Sequence, residues 1–204
     1  MRIKLTNAGK RFNTEWIFRG LSYEFTTSNA YAITGANGSG KSTLLQIIAG
    51  ATLYSEGTVD YFSDKPINAE DVYKYIGFAA PYLELIEEMT LAEFLAFQHL
   101  LKPFSITTSI PSIISILGLE NATHKQMRYF SSGMKQRVKL AQAVFSDVPI
   151  VLLDEPCTNL DRDGISLYLR LIEEYCSGRL VIVSSNEKEE YQFCSEILDI
   201  GKCK

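Results

Sequence analysis

The sequence predicts an α/β fold with a mainly parallel sheet covered on both faces, an antiparallel edge and an inserted helical subdomain. Three observations carry that expectation. Short apolar runs suited to buried strands alternate with helix-length segments over most of the chain. A glycine-rich loop, Gly35-Ala36-Asn37-Gly38-Ser39-Gly40-Lys41-Ser42, stands between one such run and a helix. From roughly Thr90 to Gln126 the strand signal gives way to a helical pattern.

Arg2 to Asn7 and Trp16 to Phe25 read as strands near the antiparallel edge, and Ala30 to Thr34 as the short apolar strand that feeds the loop. Ser42 to Ala49 is apolar and helical, stopping at Gly50. Gly57 to Phe62 and Tyr75 to Ala80 are further strands. In the helical stretch, Thr90 caps Leu91-Ala92-Glu93-Phe94-Leu95-Ala96-Phe97, with Glu93 completing a capping box. A second helix covers Pro111 to Leu117 and stops at Gly118. Then come helix Gly133 to Phe145, strand Ile150 to Leu153, helix Asp163 to Tyr175, strand Leu180 to Ser184 and helix Glu187 to Cys194.

A length of 204 residues suits one medium domain, or a core with one inserted subdomain, and can bury a proper hydrophobic core. The net charge of −4 gives no bulk attraction for nucleic acid or anionic lipid. Cys157, Cys176, Cys194 and Cys203 show neither CxxC spacing nor a histidine pairing that would suggest zinc, and read as reduced thiols of a cytosolic chain. Met1 to Asn7 lacks the apolar core of a secretory leader. The longest apolar candidate, Phe104 to Leu119, is broken by Ser, Thr and Pro111, so a membrane role is expected to run through a partner chain.

The chemistry starts at the glycine loop, which fits the phosphate-binding P-loop pattern and has the strand and helix that the pattern requires. Gly35, Gly38 and Gly40, with Asn37 and Ser39 between them, leave room for backbone N–H groups to close around the α- and β-phosphates of a nucleotide. Lys41 is expected to reach the β/γ-phosphates, Ser42 to give its hydroxyl to Mg²⁺ and Thr43 to hydrogen-bond the α-phosphate. Asp154 ends an apolar strand, where α/β sheets bind ligands, and is expected to hold Mg²⁺ through water. Glu155 is then placed to polarise an attacking water, a role that typically contributes about 10²–10⁴-fold. Phe130-Ser131-Ser132-Gly133-Met134-Lys135-Gln136-Arg137 forms a third motif, whose Ser-x-Gly turn opens a helix and offers N–H groups to an anion. Thr158-Asn159-Leu160-Asp161 follows the two carboxylates.

With that turn between P-loop and acidic strand, the chain resembles the ATP-binding domain of ABC proteins over nearly its whole length, most strongly at residues 35–43, 130–137 and 150–161. The resemblance implies a P-loop NTPase (RecA-like) core at about 1–81 and 133–204, with the helical subdomain at about 82–132. It implies ATP and Mg²⁺ as cofactors, Lys41 and Glu155 as catalytic groups, and two such domains stacked head to tail as a homo- or heterodimer. Ser131 and Gly133 would then cap the γ-phosphate held by the other domain's P-loop, with Asp161 near the seam. The plainer alternative for Ser131 is an ordinary N-cap of the helix after it, against which Gln136 and Arg137 follow at the spacing of the family pattern. Phe12 lies where the family puts the aromatic that stacks on adenine, with Trp16 as its competitor. The family also implies a separate transmembrane permease, a place on the cytoplasmic face of the membrane, and no nucleic-acid partner. A permease helix would dock near the apolar residues Phe78, Tyr82, Leu83, Leu85, Ile86 and Met89.

The chain departs from the family pattern at three positions. Ser132 replaces a usual glycine, a mild change. Pro81 stands where a glutamine normally contacts Mg²⁺ and the attacking water, with Tyr82 beside it as a partial substitute. Ser185 stands where a histidine normally contacts the γ-phosphate, and it brings a hydroxyl but no imidazole. Neither His99 nor His124, both in the helical insert, can replace that ring. The resulting expectation is a subunit that binds MgATP and dimerises but turns over slowly. The competing expectations are a soluble ABC-type switch without a permease, or a regulatory partner that contributes one degenerate site.

Overall fold

The computed structural model describes residues 1–27, 29–106 and 108–203. Strands β1 (Arg2–Phe12) and β2 (Glu15–Thr26) form an antiparallel hairpin, and β4 (Glu56–Phe62) joins β1 on its other edge. The two-residue strand β5 (Pro66–Ile67) completes this sheet in the order β2-β1-β4-β5. β1 runs five residues past the stretch expected from sequence. Its register shifts after Leu5, and Asn7 takes a positive φ of 48°, so the alternation of inward and outward residues breaks there while the pairing continues.

The second sheet is wholly parallel: β6 (Ile76–Ala79), β7 (Ile150–Asp154), β8 (Leu180–Ser184), β3 (Ala30–Thr34) and β9 (Glu196–Asp199), in that order. β7 and β8 are buried along their whole length, as strands covered on both faces must be, which is why they read as unbroken apolar runs. Their side chains still alternate between two cores. Ile150, Leu152 and Ile182 pack with the antiparallel sheet and with α1 (Lys41–Ile48). Val151, Leu153 and Val183 pack with the helices on the other face.

Those helices are α2 (Leu91–Leu101), α3 (Ile110–Ile116), α4 (Ser132–Val144), α5 (Arg162–Tyr175) and the single turn α6 (Lys188–Tyr191). The capping box is present: the Thr90 hydroxyl accepts from the Glu93 N–H, and the Glu93 carboxylate accepts from the Thr90 N–H. Phe94, Leu95 and Ile113 from α2 and α3 share one core with Val138 of α4 and Leu153 of β7. Sequence reasoning overlooked β5, a 3₁₀ stretch at Ala69–Tyr75 and β9, and made α6 too long. β9 buries only Leu198 below the surface, too little apolar pattern for a short edge strand to announce itself.

Candidate active site

Because β3, β6, β7 and β8 all point the same way, the P-loop, Pro81, Asp154 and Ser185 converge at the carboxyl ends of the sheet. The P-loop is held open by backbone geometry that side chains cannot imitate. Gly35 and Gly40 have φ of 146° and 104°. A Cβ on Gly40 would come within 2.3 Å of Ile17 Cγ2, and one on Gly35 within 2.7 Å of Ser39 Oγ. Gly40 is the N-cap of α1, so the unpaired N–H groups of that helix and its positive end face the loop. Lys41 is 6 % exposed, and its ammonium donates to the carbonyls of Gly35 (2.9 Å) and Ala36 (3.4 Å). Ser42 and Thr43 follow in the first turn of α1, half-buried.

Asp154 is 1 % exposed at the end of β7, and neither carboxylate oxygen has a hydrogen-bond partner among the described residues. Ser39 Oγ, on the P-loop, is likewise buried and unpartnered. An unpaired buried carboxylate costs several kcal/mol. Oxygen donors in this state, beside a cradle of glycine backbone, fit a hard divalent cation and a polyphosphate.

Glu155 is exposed and sits in the left-handed region with φ 42°, a strain of about 1–3 kcal/mol for a residue with a side chain. Four hydrogen bonds hold the turn. The Glu155 N–H donates to Ser184 O (2.8 Å), the Thr158 N–H to Glu155 O (3.1 Å), the Cys157 N–H to Glu190 Oε1 (2.8 Å), and Gln136 Nε2 to Pro156 O (2.7 Å). At about 0.5–1.5 kcal/mol each, these offset the strain only as a set.

The rim of the site differs from its floor. Pro81 offers only its carbonyl, which accepts from the Lys139 ammonium. Tyr82 is 48 % exposed, and its phenol lies beside Gln46 and Asp154. Desolvation and then the Asp154 carboxylate push that phenol up to about 12, so it is a neutral donor at physiological pH. Ser185 is buried; its hydroxyl accepts from the Glu187 N–H (2.9 Å) and faces Glu190. The polar atoms that reach the P-loop from this strand exit belong instead to Asn186. Its Oδ1 accepts from the Gly35 N–H (3.3 Å), and its Nδ2 donates to Asn37 Oδ1 (3.0 Å). Sequence reasoning passed over Asn186, because nothing in its own neighbourhood announces contacts about 150 residues away in sequence.

Ser131, Gly133 and Asp161 line a separate cleft of about 550 Å³ together with Lys125, Arg137 and Asn159. Ser131 is indeed an N-cap, its Oγ accepting from the Met134 N–H (3.2 Å), and the residue is exposed. Asp161 caps α5 through the Gly164 N–H (2.8 Å) and pairs with Arg137 at 3.5 Å. Of the two candidate stacking aromatics, Phe12 is 50 % exposed with Lys10 Nζ 4.7 Å from its ring centre. Trp16 is flanked by two guanidinium groups, Arg19 at 4.5 Å and Arg11 at 5.7 Å.

Residues 18–158 match the family model described as ABC transporter. An uncharacterised ABC transporter ATP-binding protein, YybJ of Bacillus subtilis, is 33 % identical over 92 % of this chain and 87 % of its own length. The cytochrome c biogenesis ATP-binding export protein CcmA of Agrobacterium fabrum is 29 % identical over 92 % of this chain and 90 % of its own. Among solved structures, a dimeric ATP-binding cassette in a post-hydrolysis state with ADP and phosphate superposes with a TM-score of 0.80. It is 24 % identical, with 98 % of this chain and 95 % of that one covered. The chain belongs to the ABC transporter family, as an ATP-binding ATPase subunit.

Proposed function

We propose that this subunit binds MgATP at its own P-loop and hydrolyses it slowly within a head-to-tail dimer that drives a separate transmembrane permease. The buried, unpartnered carboxylate of Asp154 at the mouth of the P-loop carries the reading. Lys41, Ser42, Thr43 and the loop amides hold the phosphates, while Ser42 and Asp154 hold the metal. When bound, Mg²⁺ neutralises charge on the phosphates. Glu155 orients and deprotonates the attacking water, and Phe12 packs on the base. Ser131, Gly133 and Asp161 line a cleft that includes no P-loop residue, which supports their serving the partner's nucleotide.

The stretch at about 82–132 acts as the helical subdomain, and the remainder as the core. No helix among the described residues is long and apolar enough to cross a membrane. In this reading the subunit sits on the cytoplasmic face of the membrane, attached through the permease. The rim built by Pro81, Tyr82 and Ser185 in place of a glutamine and an imidazole is the reason for slow turnover.

The test is to trap Glu155→Gln with MgATP in its native cell and identify what co-purifies from solubilised membranes. A stoichiometric membrane-spanning chain supports the reading. Ribosomes or nucleic-acid complexes in its place would sink it. Turnover of the wild-type dimer at ordinary ABC rates would remove the slow-turnover part alone.

A further inference from the structure

Glu190 is a buried acid that none of these roles uses. It lies on α6, 5 % exposed, and its backbone carbonyl accepts from the fully buried Tyr168 phenol at 2.7 Å. Its Oε1 takes the Cys157 N–H at 2.8 Å, Ser185 faces the same carboxylate, and Oε2 is buried with no hydrogen-bond partner among the described residues. Cys157 is the second residue after Glu155, and the turn between them closes through the Thr158 N–H on Glu155 O. Glu155, Ser185 and Glu190 line one cleft.

We propose that Glu190 is a positioning residue: it anchors the Cys157 amide and thereby holds Glu155 in its left-handed conformation, aimed at the attacking water. The inference rests on the reading of Glu155 as the water-activating carboxylate. Three observations point the same way. An apolar side chain would fill this buried place on α6 without the desolvation penalty of a carboxylate, a penalty that only the contacts of the acid offset. The one strong hydrogen bond it accepts from a backbone donor is on the turn that carries Glu155. Its backbone is in turn fixed from α5 by Tyr168, so the anchor is rigid rather than a flexible surface chain. The Ser185 hydroxyl faces the same carboxylate while accepting from the Glu187 N–H, so it belongs to the same small network.

The experiment compares wild type, Glu190→Ala, Glu190→Gln and Glu155→Gln as full chains. Single-turnover hydrolysis, equilibrium affinity for a fluorescent ATP analogue, and hydrogen exchange at the Cys157 amide are measured on each. Glu190→Asp, one methylene short of the amide, stands in should the alanine variant fold poorly. Expected are a loss of roughly 10-fold or more in turnover for Glu190→Ala, nucleotide affinity within about 2-fold of wild type, and faster exchange at Cys157. Glu190→Gln keeps the acceptor and should restore both turnover and exchange protection. Turnover of Glu190→Ala within about 2-fold of wild type overturns the inference. So does a turnover loss matched by an equal loss of nucleotide affinity, or a glutamine variant as poor as the alanine. Should Glu155→Gln itself turn over normally, the reading of Glu155 falls first and the inference falls with it.

Discussion

The floor and the rim of this site are made in different ways. The floor is the P-loop and the end of β7, where backbone angles, a helix end and one buried carboxylate do the holding. The rim is Tyr82, Ser185, Asn186 and Glu190, where side chains from separate segments meet across long stretches of chain. Floor geometry is local and tolerates little substitution at Gly35 and Gly40, where the space for a side chain is absent. Rim geometry is assembled by tertiary contact, so one residue can be exchanged for another if a neighbour compensates. That is where the departures expected from the sequence, Pro81 and Ser185, are proposed to act.

The floor should break abruptly. Gly40→Ala places a Cβ 2.3 Å from Ile17 Cγ2 at a φ of 104°. Strain and overpacking together should cost roughly 2–6 kcal/mol, read by chemical denaturation. Gly38, whose Cβ would meet nothing within 4 Å, carries only the conformational part and should lose clearly less on the same substitution.

The next effect is on binding. Removing the ammonium in Lys41→Ala should weaken ATP affinity by about 1.5–3 kcal/mol, roughly 10–150-fold, by the usual strength of charge-assisted hydrogen bonds. Asp154→Asn should separate binding from stability. It weakens Mg²⁺-dependent nucleotide binding while raising the melting temperature of the nucleotide-free protein, because an unpaired buried charge is gone. A fall in melting temperature would mean that Asp154 has a partner holding it.

Phe12→Ala tests the boundary between floor and edge. A half-exposed ring stacking on a base should contribute at the low end of the ~1–3 kcal/mol range, so about a 5-fold loss of affinity is expected. Trp16→Ala should change affinity less, since Arg19 and Arg11 already occupy positions over its ring. A larger loss at Trp16 would reverse the assignment.

The same division decides what could be read in the chain without coordinates. Strands β3, β7 and β8 and the loop at Gly35 were legible because burial on both faces and a glycine cluster leave a mark within a few residues. The capping box at Thr90 and Glu93 was legible for the same reason. β1 beyond Asn7 was hidden by a bulge that breaks the two-residue period, and β9 by its single buried side chain. Ser185 was located correctly at the end of β8, yet its orientation depends on Glu187 and Glu190, which local pattern does not encode. Asn186 and Glu190 could not be found at all, because what distinguishes them is a contact with Gly35, Asn37 or Cys157 far away in sequence.

The smallest effect expected is also the one that separates the rim's structural part from its chemistry. Burial is the main cause that lifts the Glu190 carboxyl above the usual carboxylate range, helped by the charges of Glu155 and Glu187, while hydrogen bonds from Ser185 and Cys157 oppose it. The folded protein therefore holds this proton more tightly than the unfolded chain. Its contribution to stability is complete below the ordinary carboxylate range and is lost as pH rises through the higher folded value. Glu190→Gln cannot ionise, so its melting temperature should gain on wild type steadily across that window and hold a constant lead above it. Below the window the two proteins should melt together. A glutamine variant that melts lower at neutral pH would show that the ionised carboxylate is stabilised by its neighbours more than burial penalises it, and Glu190 would then belong with the rigid floor.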